Sequence, residues 1–367
     1  MAGEPILIKW TPIGGTGMDR TCESLSRREF LGVLPVAVGA GLVVKPEPAA
    51  AEPPPETKRL RLLKTGSICW APQYVAEYLL HGEGFGEITY VDMPTGAISV
   101  RLAAGEADLG MNFVGPNIVR VDAGDPVVFL AGVHVGCFEV IATDRVQRMH
   151  DLRGKTAVVA SLNGAEHIFF STIMANVGLD PRKDIRWVSP EQFVSQRPAG
   201  APYPNEVSMQ LFLEGKADAF LGFPPQPQEL RARKVGHVLV NSATDRPWSQ
   251  YFCCLLTARK DFVRKNPIAT RRALRAILKS ADICATDPER AARALVDRGF
   301  TTKYEYALQT MRELPYGKWR EYDPEDTIRF YTLRLHEVGM IKSSPQKILA
   351  QGTDWRFLNE LKKELKG

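Results

Sequence analysis

The chain has 367 residues, of which 44% are hydrophobic and 24% charged, and its formal net charge is +5. That is enough for one large or two ordinary domains with an ordinary apolar content. The charge is mild and no basic block occurs, so a nucleic-acid partner is not indicated. Six irregularly spaced cysteines do not form a disulfide framework.

The chain opens with an address. Ser26-Arg27-Arg28-Glu29-Phe30-Leu31-Gly32 leads into the apolar run Leu31–Val44 and then the small-residue site Ala49-Ala50-Ala51. A charged start, a short apolar core and an Ala-x-Ala end are the parts of an export signal. The paired arginines followed by Phe-Leu resemble the twin-arginine signal. A spanning helix needs roughly 20 apolar residues. Leu31–Val44 has 14, with three glycines and a proline, so a cleaved signal is the better reading than an anchor. Residues 1–17 read as an upstream extension or a mis-called start, with Met18 the better one. Residues 1–51 carry five basic and five acidic side chains, so their removal leaves the net charge unchanged. The mature protein is expected in the periplasm, exported already folded by the twin-arginine machinery. Folding in a reducing compartment allows Cys69, Cys137, Cys253, Cys254 and Cys284 to be buried as thiols.

Lys45–Glu56 holds five prolines and reads as cleavage region plus linker, with 52–57 joining signal to fold. Beyond Lys58 short β-like runs alternate with helical patterns. Leu60–Leu63, Ile88–Val91, Val127–Ala131, Phe138–Thr143, Thr156–Ala160 and Ile185–Val188 read as strands. Pro72–Leu80, Ile98–Ala104, Pro116–Ala123 and Ala165–Val177 read as helices, with Pro in a first turn or Gly just past the end. This alternation predicts an α/β fold with mostly parallel strands. After Asp261 the pattern is helical: Pro267–Ala285, Pro288–Asp297, Lys303–Glu313, Asp326–Glu337 and a last amphipathic helix from Asp354.

Two segments echo each other. Gly105-Glu106-Ala107-Asp108-Leu109 and Gly215-Lys216-Ala217-Asp218-Ala219 stand 110 residues apart, each closing a helical run and opening a strand. In each, Gly ends the helix in the left-handed conformation. An ordinary αβ loop explains either one; the recurrence predicts two similar α/β lobes.

Four segments carry a family resemblance. They are Lys64-Thr65-Gly66-Ser67 with Trp70-Ala71-Pro72; Leu102–Gly110 running into Asn112–Pro116; Asp151–Thr156 with Ser161–Gly164 and Gly178–Asp184; and Gly215–Phe220 with Pro224-Pro225. In this order, over residues 60–260, they closely resemble the periplasmic substrate-binding proteins of ABC importers. The class is the nitrate/taurine/aliphatic-sulfonate one (NitT/TauT, NMT1/THI5-like). The resemblance implies a two-lobed periplasmic-binding-protein fold of type II with two hinge crossings and a helical C-terminal extension. Lobe I would be 58–136 plus 258–367 and lobe II 137–257, with Phe138–Thr143 and Phe252–Thr257 as the crossings. It also implies a monomer that captures a small molecule and delivers it to permease and ATPase subunits. The ligand classes implied are sulfonate, nitrate, taurine or a pyrimidine-like compound. The alternatives are an enzyme on the same scaffold acting on pyrimidine precursors, and a ligand sensor with a signalling partner.

In open α/β sheets ligands bind outside the carboxyl ends of the strands, where helix N-termini offer free N–H groups. That rule selects Ser67 and Trp70 after the first strand, against capping and core packing as the plainer roles. It selects Asn112, Phe113 and Gly115 at the matching turn, against an ordinary loop. Ser161, Asn163 and Gly164 precede the helix Ala165–Val177, where simple N-capping is the plainer role, and His167 lies near its first turn. His134 and Tyr251 lie beside the crossings, and Phe223 ends the strand after Asp218; for all three a structural role is the plainer one. No lysine or arginine stands beside Ser67, Asn112 or Asn163, so a neutral or aromatic ligand is as open as an anion.

No catalytic residues are assigned: the sequence has no nucleophile elbow, His-Glu-x-x-His, phosphate loop or usable Gly-x-Gly-x-x-Gly. No cofactor or metal is expected either. His134 and Cys137 are three apart on an extended segment, which would turn them to opposite faces. Buried apolar thiols account for the cysteines near the cleft, with soft-metal ligation the alternative.

The export reading has a direct test. Lysine keeps the charge of Arg27 and Arg28 but loses the guanidinium fork. The double Arg→Lys variant is expected to stay in the cytoplasm as precursor. Fractionation that finds it accumulating normally in the periplasm would refute a twin-arginine signal.

Overall fold

The computed structural model describes residues 52–92, 98–190 and 202–365. The signal-like segment 1–51 lies outside the described residues. No helix among the described residues is long and apolar enough to cross a membrane.

Ten strands are described: β1 (Arg59–Lys64), β2 (Glu87–Asp92), β3 (Leu109–Phe113), β4 (Val127–Val135), β5 (Glu139–Ala142), β6 (Lys155–Val158), β7 (Ile185–Val188), β8 (Ala219–Gly222), β9 (His237–Asn241) and β10 (Phe252–Arg259). They form two five-stranded sheets with the orders β2-β1-β3-β10-β4 and β7-β6-β8-β5-β9. Between them run the helices α1 (Ala71–Val75), α2 (Glu77–Gly82), α3 (Ile98–Ala104), α4 (Val114–Asp122), α5 (Ala165–Asn176), α6 (Pro204–Leu213) and α7 (Gln226–Ala232). The C-terminal part is α8 (Lys260–Lys265), α9 (Pro267–Thr286), α10 (Pro288–Asp297), α11 (Tyr304–Glu313), α12 (Pro324–Glu337), α13 (Pro345–Gly352) and α14 (Arg356–Glu364).

The two sheets are built alike. In each, the first-lying strands pair in parallel: β1 with β2 and β3, β6 with β7 and β8. One strand in each runs against its neighbours: β10 between β3 and β4, and β5 between β8 and β9. These are the strands by which the chain enters a sheet after leaving the other. Strands that approach the junction run one way and a strand that departs from it runs the other, so reversal at these two places is forced. The strands are mostly co-directional, as the alternation predicts, but half the pairings are antiparallel for this reason.

This arrangement corrects both crossings read from the sequence. Glu139–Ala142 is a strand of the second sheet, and Phe252–Thr257 belongs to β10 in the first sheet. The chain actually passes between sheets at 136–138 and 242–251, so the return boundary falls before Phe252, not after Thr257. An apolar run such as Phe252–Leu256 marks a buried strand but not the sheet it joins. Gly136 makes the first passage with φ +49, and a Cβ there would meet the Ala243 Cα at 2.3 Å. The Ser242 hydroxyl accepts the N–H groups of Cys137 at 3.0 Å and Phe138 at 2.9 Å. The Ser242 N–H in turn donates to the Phe138 carbonyl at 2.9 Å. The two passages are thus laced into one junction.

The repeated Gly-x-Ala-Asp segments occupy equivalent places. Gly105 and Gly215 have φ of +87 and +72, as left-handed helix ends require. Asp108 accepts the Arg61 N–H on its carboxylate at 2.8 Å, while its own N–H donates to the Arg61 carbonyl at 2.9 Å. Asp218 accepts the Thr156 N–H at 2.9 Å and donates to the Thr156 carbonyl at 2.8 Å. Each aspartate therefore closes the ladder at the start of the strand beside it, and an arginine neutralises it: Arg61 at 2.6 Å and Arg145 at 2.7 Å.

The C-terminal helices do two jobs. β4 is an edge strand, yet all nine residues are buried. A 3-10 turn at Tyr316–Arg320, α13, α14 and a bridge from Phe129 to Thr353 cover it, which removes an open sheet edge. The linker end is docked as well: the Glu56 carboxylate accepts the N–H groups of Ile268 and Ala269, both at 2.9 Å, at the start of α9.

The aspartate ladder ends are testable. Asp218→Ala leaves the Thr156 N–H without its acceptor, and losing a hydrogen bond to a charged group costs about 1.5–3 kcal/mol. Urea unfolding is expected to show a similar loss for Asp108→Ala, the equivalent change in the other sheet. A loss confined to one of the two would refute the structural equivalence.

Candidate functional site

The carboxyl ends of β1 and β3 face those of β6 and β8 across an enclosed cleft. From the first sheet come Thr65, Ser67 and Trp70 after β1, and Asn112 and Phe113 at the end of β3. From the second come Ala160 and Ser161 after β6 and Phe223 after β8. Cys137 and Phe138 of the first passage form part of the floor.

The cleft is closed. The Ile68 N–H donates to the Pro224 carbonyl at 3.1 Å, from one sheet's end to the other's. The Tyr203 hydroxyl donates to Asp92 at 2.6 Å along a second line. Gly66 lies so near the Tyr203 ring that a Cβ would sit 2.8 Å from it. At α4, a Cβ on Gly115 would meet Ile168 of α5 at 2.7 Å. Small residues at both points let the two halves touch.

Six of the residues picked from the sequence therefore meet at the cavity: Ser67, Trp70, Asn112, Phe113, Ser161 and Phe223. Trp70 is only 3% exposed, so its ring serves the core and the cleft wall together. The other six stand elsewhere. Gly115 is a contact point between α4 and α5. Tyr251 stacks on Phe330, with centroids 3.9 Å apart and planes at 10°. Asn163 is exposed in the left-handed region, φ 61, and Gly164 is the N-cap of α5, packed against Ser161. His167 turns its ring edge toward Trp187 at 4.7 Å and accepts the Asn163 N–H on Nδ1 at 3.2 Å. The left-handed turn at Asn163 rotates the start of α5, so the side chain that faces the cleft is Glu166, not His167.

His134 is fully buried beneath the floor. The expectation that it and Cys137 point to opposite faces is overturned. Alternation holds only along a continuous strand, and Gly136 breaks it. The His134 ring and the sulfurs of Cys69, Cys137 and Cys254 offer ligand atoms that all lie within 4.8 Å of one another. All five cysteines from Cys69 onward are buried and unpaired by disulfides.

The sequence reading missed the lining residues that helices bring in. Glu166 is 6% exposed in the first turn of α5, and Tyr203 and Asn205 begin α6. The available signal was Pro204, which marks a helix start at the cleft-facing end of a lobe. Serine, asparagine and aromatic groups dominate the lining, Glu166 is its one carboxylate, and no lysine or arginine is part of it among the described residues.

Burial lowers the His167 pKa from 6.5 to about 4. The ring is therefore neutral at physiological pH. Between pH 6.5 and about 4 the unfolded chain binds this proton more readily than the folded one, so the histidine's contribution to stability falls as pH falls through that window. NMR titration is expected to find the His167 imidazole uncharged at pH 5.5. A midpoint near 6.5 would place the ring in solvent instead.

Residues 91–296 match the model of the NMT1-like family, more than half of the chain. No curated protein sequence matches it. Among solved structures, the chain resembles the periplasmic nitrate-binding protein NrtA from Synechocystis PCC 6803, at 14% identity and a TM-score of 0.69, covering 86% of this chain and 90% of that one. It resembles the alkanesulfonate-binding protein SsuA from Xanthomonas axonopodis pv. citri bound to MOPS, at 16% identity and a TM-score of 0.60, covering 80% and 96%. It also resembles the desulfurization enzyme DSZB, at 13% identity and a TM-score of 0.58, covering 83% and 99%. At these identities the likeness is one of fold, the generic periplasmic-binding-protein fold. With that fold and a family match over more than half of the chain, the chain belongs to the NMT1-like family.

Proposed function

We propose that this protein is the exported solute receptor of an ABC importer, acting in the periplasm. The observation that carries this reading is the enclosed cleft between two similar sheets, bridged from Ile68 to Pro224 and from Tyr203 to Asp92. A receptor of this kind needs no chemistry. Ligand binds better to the closed form than to the open one, and the population shifts toward the form that docks on the permease. NrtA and SsuA are named for binding nitrate and alkanesulfonate, and their fold supports the receptor reading.

The lining suits a molecule with a flat apolar part. Trp70, Phe113, Phe138 and Phe223 supply aromatic walls, while Ser67, Asn112 and Ser161 supply neutral polar partners. The N-terminus of α5 opens on the cleft with Glu166 in its first turn.

A second reading, an enzyme on the same scaffold, is favoured by one feature: Cys69, Cys137 and Cys254 all line the cleft floor. The two readings part on the fate of the ligand. A receptor returns it unchanged; an enzyme does not.

Mass spectrometry of ligand retained through gentle purification tests identity and fate together. In thermal-shift screening, a true ligand at a hundredfold excess over Kd adds about 2.7 kcal/mol of stability. Heteroaromatic compounds are expected to produce this shift. Trp70→Ala is expected to weaken binding by roughly ten- to a hundredfold, from the 1–3 kcal/mol that burying a large side chain contributes. Tight binding of a ligand with no flat apolar part, insensitive to Trp70→Ala, would overturn the ligand assignment.

A further inference from the structure

We propose that Cys69, His134, Cys137 and Cys254 form a tetrahedral Zn2+ site in the floor of the cleft. Four different elements supply them: the turn after β1, the end of β4, the first passage between sheets, and β10. Their ligand atoms lie within 4.8 Å of one another, and all four residues are buried. Ligands about 2.0–2.3 Å from a zinc ion stand roughly 3.5–3.8 Å apart, so a small contraction around the ion completes the site. His134 and Cys254 are register partners on adjacent strands, which fixes half of the set in the sheet itself.

The second, independent observation is the state of the histidine. His134 is 0% exposed, and its Nε2 has no hydrogen-bond partner. A buried polar atom without a partner is costly unless something occupies its lone pair. Nδ1 faces the Val135 carbonyl at 3.4 Å. With the proton on Nδ1, Nε2 keeps a free lone pair. An oriented imidazole backed by a carbonyl is the arrangement seen behind metal-bound histidines. The Ser67 hydroxyl lies 2.9 Å from the Cys69 sulfur and can donate to it as a thiolate. The Tyr316 ring packs edge-on to His134 at 5.3 Å, holding it from behind.

The donor set selects the ion. Thiolate and imidazole ligands suit Zn2+ and Cu+ and disfavour hard cations. Binding Zn2+ expels three thiol protons and leaves one net negative charge in the floor; Cu+ with the same ligands would leave two in a buried place. Zn2+ is therefore the better match. Cys137 sits on the passage between sheets, so the ion would tie that passage to the first sheet and fix the depth of the cleft. Three of the four ligands line the cavity, which puts the ion directly under any bound solute. Cys253, 3.1 Å from the Cys137 sulfur, is the competing partner: a disulfide between them would remove one ligand.

Reduced, metal-free protein titrated with Zn2+ against a chromophoric chelator is expected to take up one equivalent, with proton release and a raised Tm. Cys254→Ser and His134→Gln are expected to weaken uptake at least tenfold, while Cys284→Ser leaves it unchanged. Since either site variant could fail to fold, X-ray absorption on the zinc-loaded wild-type chain gives the ligand set directly: three sulfurs and one nitrogen. Any other set, or no stoichiometric uptake by the reduced protein, overturns the proposal. So does a Cys137–Cys253 disulfide in protein recovered from the periplasm.

Discussion

Everything in this molecule hangs on the junction where the chain passes between its two sheets. Gly136 takes a left-handed turn against the Ala243 backbone, where a Cβ would stand 2.3 Å from a main-chain atom. Ser242 then fastens the outgoing passage to the returning one through two accepted hydrogen bonds and one donated. Because both passages leave at one point, the strand ends of both sheets must face each other. The cleft is a consequence of that geometry. So is the reversal of β5 and β10, and so is the meeting of Cys137 with Cys69, Cys254 and His134.

How far the sequence foretells this depends on the kind of signal. Strand and helix existence was legible wherever periodicity was strong: Ile98–Ala104, Ile185–Val188 and Pro288–Asp297 end where the pattern ends. The two Gly-x-Ala-Asp segments were legible as a repeat because each aspartate closes a parallel ladder at the same place. The crossings were not legible. Val127–Val135 is buried from end to end and β10 from Phe252 to Ala258, and an apolar run carries no record of which sheet it pairs with. α13, between the last two helices read from the pattern, is short and has only Ile348, Leu349 and Gly352 buried, too few for a helical period.

The cleft divides in the same way. Residues at strand ends were found because the strand direction fixes where they lie: Ser67, Asn112, Phe113, Ser161 and Phe223. Residues on helix first turns depend on the rotation of the helix about its axis, which one loop conformation decides. Asn163 in the left-handed region exchanges the roles of neighbouring side chains in α5, sending Glu166 to the cleft and His167 to Trp187. That exchange alters the electrostatics of the site.

The C-terminal helices add a constraint on how the cleft can open. α11 carries Glu313, which holds Arg231 of α7 through two contacts at 2.7 Å, and Lys303 pairs with Glu229 of the same helix. These pairs link a helix packed on the first sheet's side to one beside β8 in the second lobe. The Tyr331 ring of α12 meets Phe113 at 5.1 Å and lies 6.3 Å from Phe169 of α5, again spanning both halves. The surface pairs are partly exposed and individually weak. The aromatic contacts are buried and cannot be replaced by water without cost. A hinge motion that preserves the aromatic cluster and exchanges the ion pairs and the Ile68–Pro224 and Tyr203–Asp92 hydrogen bonds for solvent is therefore the cheapest opening.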